Sequence, residues 1–247
     1  MDTRHMTSRG SERRTDDAAS VGRGVPGGLT GRLGVAFGLA VVGCGLFLVD
    51  VPVAAWFRNH RLPGDLGRLI DLSEAFAHGL AVAVILAVTV SVDPAWRRAG
   101  FSLAGRMDFA RLVAATYAGG LVVDLVKAIV TRVRPRAADL TAVASVFDTF
   151  GVSAAAAAVG GGGLVGKPAD LMSFPSGHAA VAAGLATALA WKYPHATATF
   201  AALATLAAAQ RVASSAHYPS DIAFGAAIGV AVAAVCLGGA RPAVLRT

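Results

Sequence analysis

The sequence predicts an all-α integral membrane bundle of six transmembrane helices. Three observations carry this reading. Of the 247 residues, 55% are hydrophobic and only 15% are charged, where a soluble domain carries roughly a quarter charged residues. The mean hydropathy is +0.61. The apolar residues fall into six runs, and the polar residues gather at the ends of those runs.

Residues 1–30 are rich in Gly, Ser and Arg and too polar to bury a core, so they are expected to form a disordered cytoplasmic tail. The membrane domain is expected over 31–240, with a short cytoplasmic tail at 241–247. Its first span is expected at about 33–53. The stretch 63–77 alternates polar residues with Leu66, Leu69, Ile70 and Phe76, which predicts a short interfacial helix that Asp65 can cap. The second span covers about 77–92 and the third about 109–130. Residues 140–166 are apolar, but Asp148 would cost about 2.5–3.5 kcal/mol at the bilayer centre and Gly160 to Gly163 disfavour a helix. They are expected to form an external loop. The fourth, fifth and sixth spans are expected at about 178–191, 197–213 and 222–237. Several are short against the roughly 17–25 residues that cross a bilayer.

The basic residues set the orientation. Arg4 to Arg32, then Arg97, Arg98 and Arg106, then Lys192, and finally Arg241 and Arg246 fall on one side of a six-span layout. The positive-inside rule makes that side cytoplasmic, with both termini on it. The chain is therefore expected in the cell (inner) membrane with anionic lipids as neighbours. No nucleic-acid partner is expected, because no basic surface is interleaved with aromatic residues. Cys44 and Cys236 lie inside apolar runs and read as small core residues.

Three polar segments interrupt the apolar pattern: KAIVTRVRP (Lys127 to Pro135), PSGH (Pro175 to His178) and RVASSAHYPSD (Arg211 to Asp221). In the six-span layout all three reach the outer face. Lys127 and Arg134 are seven residues apart, which on a continuing helix puts both on one face. Arg134 offers a planar fork and Lys127 a point charge. Ser176 is a natural N-cap, and Gly177 lets an anion approach the free N–H groups of the following helix. Asp221 follows His217 by four, so it can accept the Nδ1 proton and leave Nε2 as a nucleophile. Pro219 suits the first turn of the sixth helix. Each segment alone has a plainer reading: snorkelling cations, an ordinary helix start, a capping Asp beside a structural histidine. Together they form an inventory for binding a phosphate and cleaving its ester.

The three segments resemble the tripartite signature of the phosphatidic acid phosphatase type 2 superfamily: Lys, six residues, Arg-Pro; then Pro-Ser-Gly-His; then Ser-Arg, five residues, His, three residues, Asp. One position departs, with Gln210 where the signature has Ser. The resemblance implies that Lys127, Arg134 and Arg211 bind the phosphate, with further hydrogen bonds from Ser176 and Gly177. It implies that His217 attacks phosphorus to form a phosphohistidine, that Asp221 orients it, and that His178 protonates the leaving oxygen. No cofactor and no metal is implied. A His178, His217 and Asp221 metal site is the alternative weighed, but three cations beside it would repel a divalent ion. The implied substrate is a lipid phosphate or pyrophosphate, such as phosphatidic acid, phosphatidylglycerophosphate, phosphorylated lipid A or undecaprenyl diphosphate. A lipid phosphotransferase with the same intermediate, or a non-enzymatic lipid transporter, are the competing classes. Asp124 is expected to pair with a cation inside the bundle, His78 to be structural, and His195 to lie at the cytoplasmic end.

Overall fold

The computed structural model describes residues 28–99, 102–151 and 168–239. Most of the tail expected over 1–30, the tail expected over 241–247 and most of the loop expected at 140–166 lie outside them, and the end of the first tail is corrected, because the first helix already begins at Leu29. Among the described residues the elements are helical, with no strand and only two isolated bridges, both at Arg132.

In chain order the helices are α1 (Leu29–Leu46), α2 (Asp50–Asn59), α3 (Gly64–Ser73, extended by a 3-10 turn at Glu74–Phe76), α4 (Gly79–Val92), α5 (Pro94–Ala99), α6 (Leu103–Lys127), α7 (Gly177–Lys192), α8 (Thr197–Ala213) and α9 (Pro219–Leu237). By length and composition α1, α6 and α9 can each cross a membrane, and α3 with α4 would make a fourth span if their 71° bend is one broken crossing. The helices α7 and α8, of 16 and 17 residues, are at or below the length that spans a bilayer unaided. α7 is the centre of the bundle. Eleven of its residues are buried, among them Leu185, Leu189 and Trp191, so it needs little lipid-facing apolar surface.

Three boundaries differ from the sequence expectation. The first run is not one helix to residue 53, because α1 stops at Leu46 and α2 restarts at Asp50. The reason is Asp50, fully buried and paired with Arg132; an unpaired carboxylate at that depth would be costly. The third span runs 103–127 rather than 109–130. Ser102 caps its start by accepting from Gly105 N at 3.1 Å. Asp65 does not cap α3. Pro63 occupies the cap position, and Asp65 pairs with Arg68 at 3.3 Å on the exposed surface. The interfacial character of α3 is visible in its exposed Leu66, Leu69 and Leu72 against buried Ile70 and Phe76. Cys44 faces outward rather than into the core, and Cys236 is half-buried.

Small residues bring α9 onto α7. A Cβ added to Gly225 would overlap the carbonyl oxygen of Ser176, and one added to Gly229 would overlap that of Ala180. Neither backbone can yield without moving a helix. Gly225→Ala is therefore expected to destabilise the protein by about 1–3 kcal/mol through overpacking. Gly38→Ala, where nothing lies within 4 Å, serves as the neutral control in the same thermal-unfolding series.

The ends of the helices define two poles. At one, Tyr193 donates to Asp93 at 2.7 Å and Lys192 pairs with Asp93 at 3.3 Å, tying the α7–α8 corner to the α4–α5 corner. His195 lies at this pole, in the turn Pro194–Ala196. The C-terminal ends of α6 and α8 and the N-terminal ends of α7 and α9 meet at the other.

Candidate active site

The second pole holds a cavity of about 320 Å³. Lys127, Arg134, Gly177, His178, Arg211 and His217 line it, with Ala77, Gly120 and Val181 on its apolar side. These polar groups come from all three motif segments.

Lys127 closes the last turn of α6, and Ala128 caps the helix. Arg134 is thus not on the same helical face as Lys127, contrary to the seven-residue argument. The chain beyond Val130 is drawn out straight by backbone hydrogen bonds. Arg132 N donates to Leu171 O at 2.9 Å, Val133 N to Thr149 O at 2.9 Å and Arg134 N to Asp170 O at 2.8 Å. The β-branched Val130, Thr131 and Val133 suit this extended form. Arg134 reaches the cavity from that segment, steadied by its Nε donating to Ala169 O at 2.8 Å.

Ser176 caps α7, accepting from Ala179 N at 3.4 Å, and is fully buried. Its own N–H donates to Asp221 O at 3.0 Å. Its side chain takes the capping role that the sequence predicts and is not among the groups that line the cavity. Gly177 does line the cavity, with the Lys127 ammonium above it. His178 follows in the first turn, its Nε2 3.8 Å from Glu74 Oε1.

His217 lies in the α8–α9 turn, where its backbone N–H donates to Arg211 O at 3.1 Å. Its Nδ1 is 2.7 Å from the carbonyl oxygen of Ser173 and 3.6 Å from Asp221 Oδ2. A carbonyl can only accept, so Nδ1 carries the proton and Nε2 is left with a free lone pair. The tautomer is set by Ser173, with Asp221 beyond hydrogen-bond reach; this replaces the expected direct hydrogen bond from His217 to Asp221. Burial pushes His217 down to about 4, against the opposing pull of Asp221. Lowering the pH from neutrality should therefore leave the ring uncharged until about pH 4 instead of protonating it near its ordinary 6.5. An NMR titration of the ring, assigned by its loss in H217A, checks this. A midpoint near 6.5 would contradict it.

Asp221 is held by Ser173 Oγ at 2.6 Å, by Tyr218 N at 2.8 Å and by Arg132. Arg132 was missed in the sequence reading, and so was Asp50. The Arg132 guanidinium is fully buried and also bonds Asp50 at 2.7 Å, Ser220 at 2.9 Å and Thr149 at 3.1 Å. It stacks over Tyr218 at 4.0 Å and Phe150 at 4.4 Å. Asp50 in turn accepts from Ser220 N at 2.8 Å and from Ser220 Oγ. An Asp50–Arg132–Asp221 chain thus fixes the floor behind His217. One signal could have found it: ionisable residues inside apolar runs need partners.

Asp124 lines the cavity one turn below Lys127, and its charge acts on the Lys127 ammonium, in keeping with the cation partner expected for it, without a contact close enough to be an ion pair among the described residues. His78 occupies the N-cap position of α4 without a side-chain cap bond, beside the cavity, and is exposed.

The model of the PAP2 superfamily matches residues 108–242, more than half of the chain. The chain belongs to the PAP2 superfamily. No curated protein and no solved structure matches it. PAP2 is a phosphatase superfamily, and membership supports phosphoester hydrolysis. The matched region contains every PAP2 signature segment and the elements α7, α8 and α9, while Asp50 and Glu74 lie outside it.

Proposed function

We propose that the protein is a six-span membrane phosphatase that hydrolyses a lipid phosphate or lipid pyrophosphate through a phosphohistidine at His217. One observation carries this reading. Five motif side chains from three distant segments, Lys127, Arg134, His178, Arg211 and His217, line a single cavity. Lys127, Arg134 and Arg211 bind the phosphate, and the N–H groups opening α7 at Gly177 add to them. His217 Nε2 attacks phosphorus as the ester P–O bond breaks, and His178 gives a proton to the departing oxygen. Water then attacks the phosphohistidine, His178 takes a proton from it, and inorganic phosphate leaves. Asp221 supports His217 through its charge and through the Ser173 hydroxyl it holds.

The apolar wall at Ala77, Gly120 and Val181 suits a lipid tail approaching sideways from the bilayer, with the headgroup at the cations. The pole carrying Lys192, Arg97 and Arg98 is read as cytoplasmic, which puts the cavity on the outer face. Catalysis is assigned to the protein side chains without a metal. Phosphate release from phosphatidic acid, phosphatidylglycerophosphate, phosphorylated lipid A and undecaprenyl diphosphate, each with and without EDTA, tests the reading. Release from at least one of them that survives chelation is expected. No release from any by folded protein would overturn the hydrolase assignment.

A further inference from the structure

Two side chains that are not signature residues, Glu74 and Gln210, converge on Arg211. Its Nη1 donates to Glu74 Oε1 at 2.6 Å and to Gln210 Oε1 at 3.0 Å. Its Nε is buried without an acceptor, and no hydrogen bond engages Nη2 among the described residues. Glu74 is 137 residues away in sequence and opens the 3-10 turn Glu74–Phe76. That turn and α3 pack on α8, just before the 71° bend into α4. The α3 segment therefore delivers a carboxylate to the last turn of α8.

A guanidinium is a planar fork of five N–H groups. Fixing one terminal nitrogen with two acceptors removes its torsional freedom and determines which edge stays open. In Arg211 the open edge is Nε with Nη2, which can take two oxygens of a phosphate side by side. A buried N–H lacking an acceptor is costly, and a phosphate oxygen at Nε would relieve that cost. Gln210, the one position where the chain departs from the signature, supplies one of the two fixing acceptors.

We propose that Glu74, assisted by Gln210, is a positioning residue that holds Nη1 of Arg211 so that its Nε–Nη2 edge meets the substrate phosphate. The proposal rests on the reading of Arg211 as a phosphate ligand. It also differs in sign from a simple competitor. If Glu74 were only an anion that phosphate must displace, removing it would tighten phosphate binding.

The test uses the full chain in detergent, with the affinity for inorganic phosphate and kcat/KM on the active lipid as two readouts. Glu74→Ala is expected to weaken phosphate binding and to lower kcat/KM by about 10–100-fold, the scale of a lost charge-assisted hydrogen bond. Glu74→Gln keeps an acceptor at the same reach and is expected to recover most of the loss. In an Arg211→Ala background, Glu74→Ala is expected to change the phosphate affinity by less than about 2-fold, because a residue acting through Arg211 has nothing left to position, while its 3.8 Å approach to His178 affects turnover alone. Should Glu74→Ala not fold, Glu74→Asp, which withdraws the oxygen by one methylene, carries the same comparison. Tighter phosphate binding by Glu74→Ala, or an equal loss in both backgrounds, would overturn the proposal. Phosphate binding without lipid turnover would instead fault the substrate assignment, and a wild-type protein that binds no phosphate would sink both.

Discussion

Replacing His217 by alanine is expected to abolish phosphate release, by roughly 10³-fold or more, while the protein stays folded. The hydrogen-bond pattern fixes Nε2 as the unprotonated nitrogen of this ring, because Nδ1–H donates to the Ser173 carbonyl oxygen. Burial also keeps the ring neutral at physiological pH. Loss of the side chain leaves the buried Ser173 carbonyl without this partner, a cost of about 1–3 kcal/mol, and the fold is expected to survive in size-exclusion and circular-dichroism controls. His178→Ala is expected to lower the rate by about 10²–10⁴-fold, the range of a general acid. Leaving groups that need no proton should show the smaller defect. Equal loss for good and poor leaving groups would argue against His178 as the acid.

The second large effect is on stability. Arg132→Ala is expected to destabilise the protein by about 3–5 kcal/mol, since it leaves Asp50 and Asp221 buried and unpaired. Both carboxylates and the guanidinium are fully buried. Asp50→Asn should cost less, because Arg132 retains Asp221, Ser220 and Thr149. The order of the two thermal midpoints checks the argument. An Arg132→Ala protein as stable as the wild type would show that the buried chain carries no net weight. Activity should fall with Arg132→Ala as well, because Ser173 and Ser220, which flank His217, both bond to members of this chain.

The two effects separate what the sequence made legible from what it did not. Local signals located the cavity residues at helix ends. Ser176 caps α7, Pro219 opens α9, and α8 ends at Ala213, where the apolar run ends. Lys127, His178, Arg211 and His217 sit at those ends, so their common pole followed from helix count and direction alone. Arg134 was located correctly at the cavity by a mistaken argument. The helix was assumed to continue past Lys127, whereas backbone pairing with Thr149 and Asp170 pulls the segment straight. Such pairing depends on loop residues far away and leaves no periodic trace.

Charges that act through tertiary pairing were the other blind spot. Asp50 meets Ser220 across 170 residues and Arg132 across 82. Glu74 meets Arg211 across 137. In sequence Asp50 reads as the polar edge of an apolar run and Glu74 as a charge on an amphipathic helix. Only the packing of α2 and α3 against the catalytic pole gives them partners. The apolar surroundings of these residues have a physical consequence. A charge in an apolar run persists only when something neutralises it, so unexplained ionisable residues in such runs are the places to look for missing contacts.

In the proposed mechanism one cavity lined by three cations uses His217 as a nucleophile on phosphorus. Rapid acid-free quenching of the enzyme during turnover of its lipid phosphate, followed by peptide mass spectrometry, tests it most directly. An acid-labile phosphoryl group is expected on the peptide containing His217, absent from H217A and lost on a longer incubation with water. Sustained phosphate release by H217A, or a phosphoryl group carried by His178 or another residue instead, would contradict it.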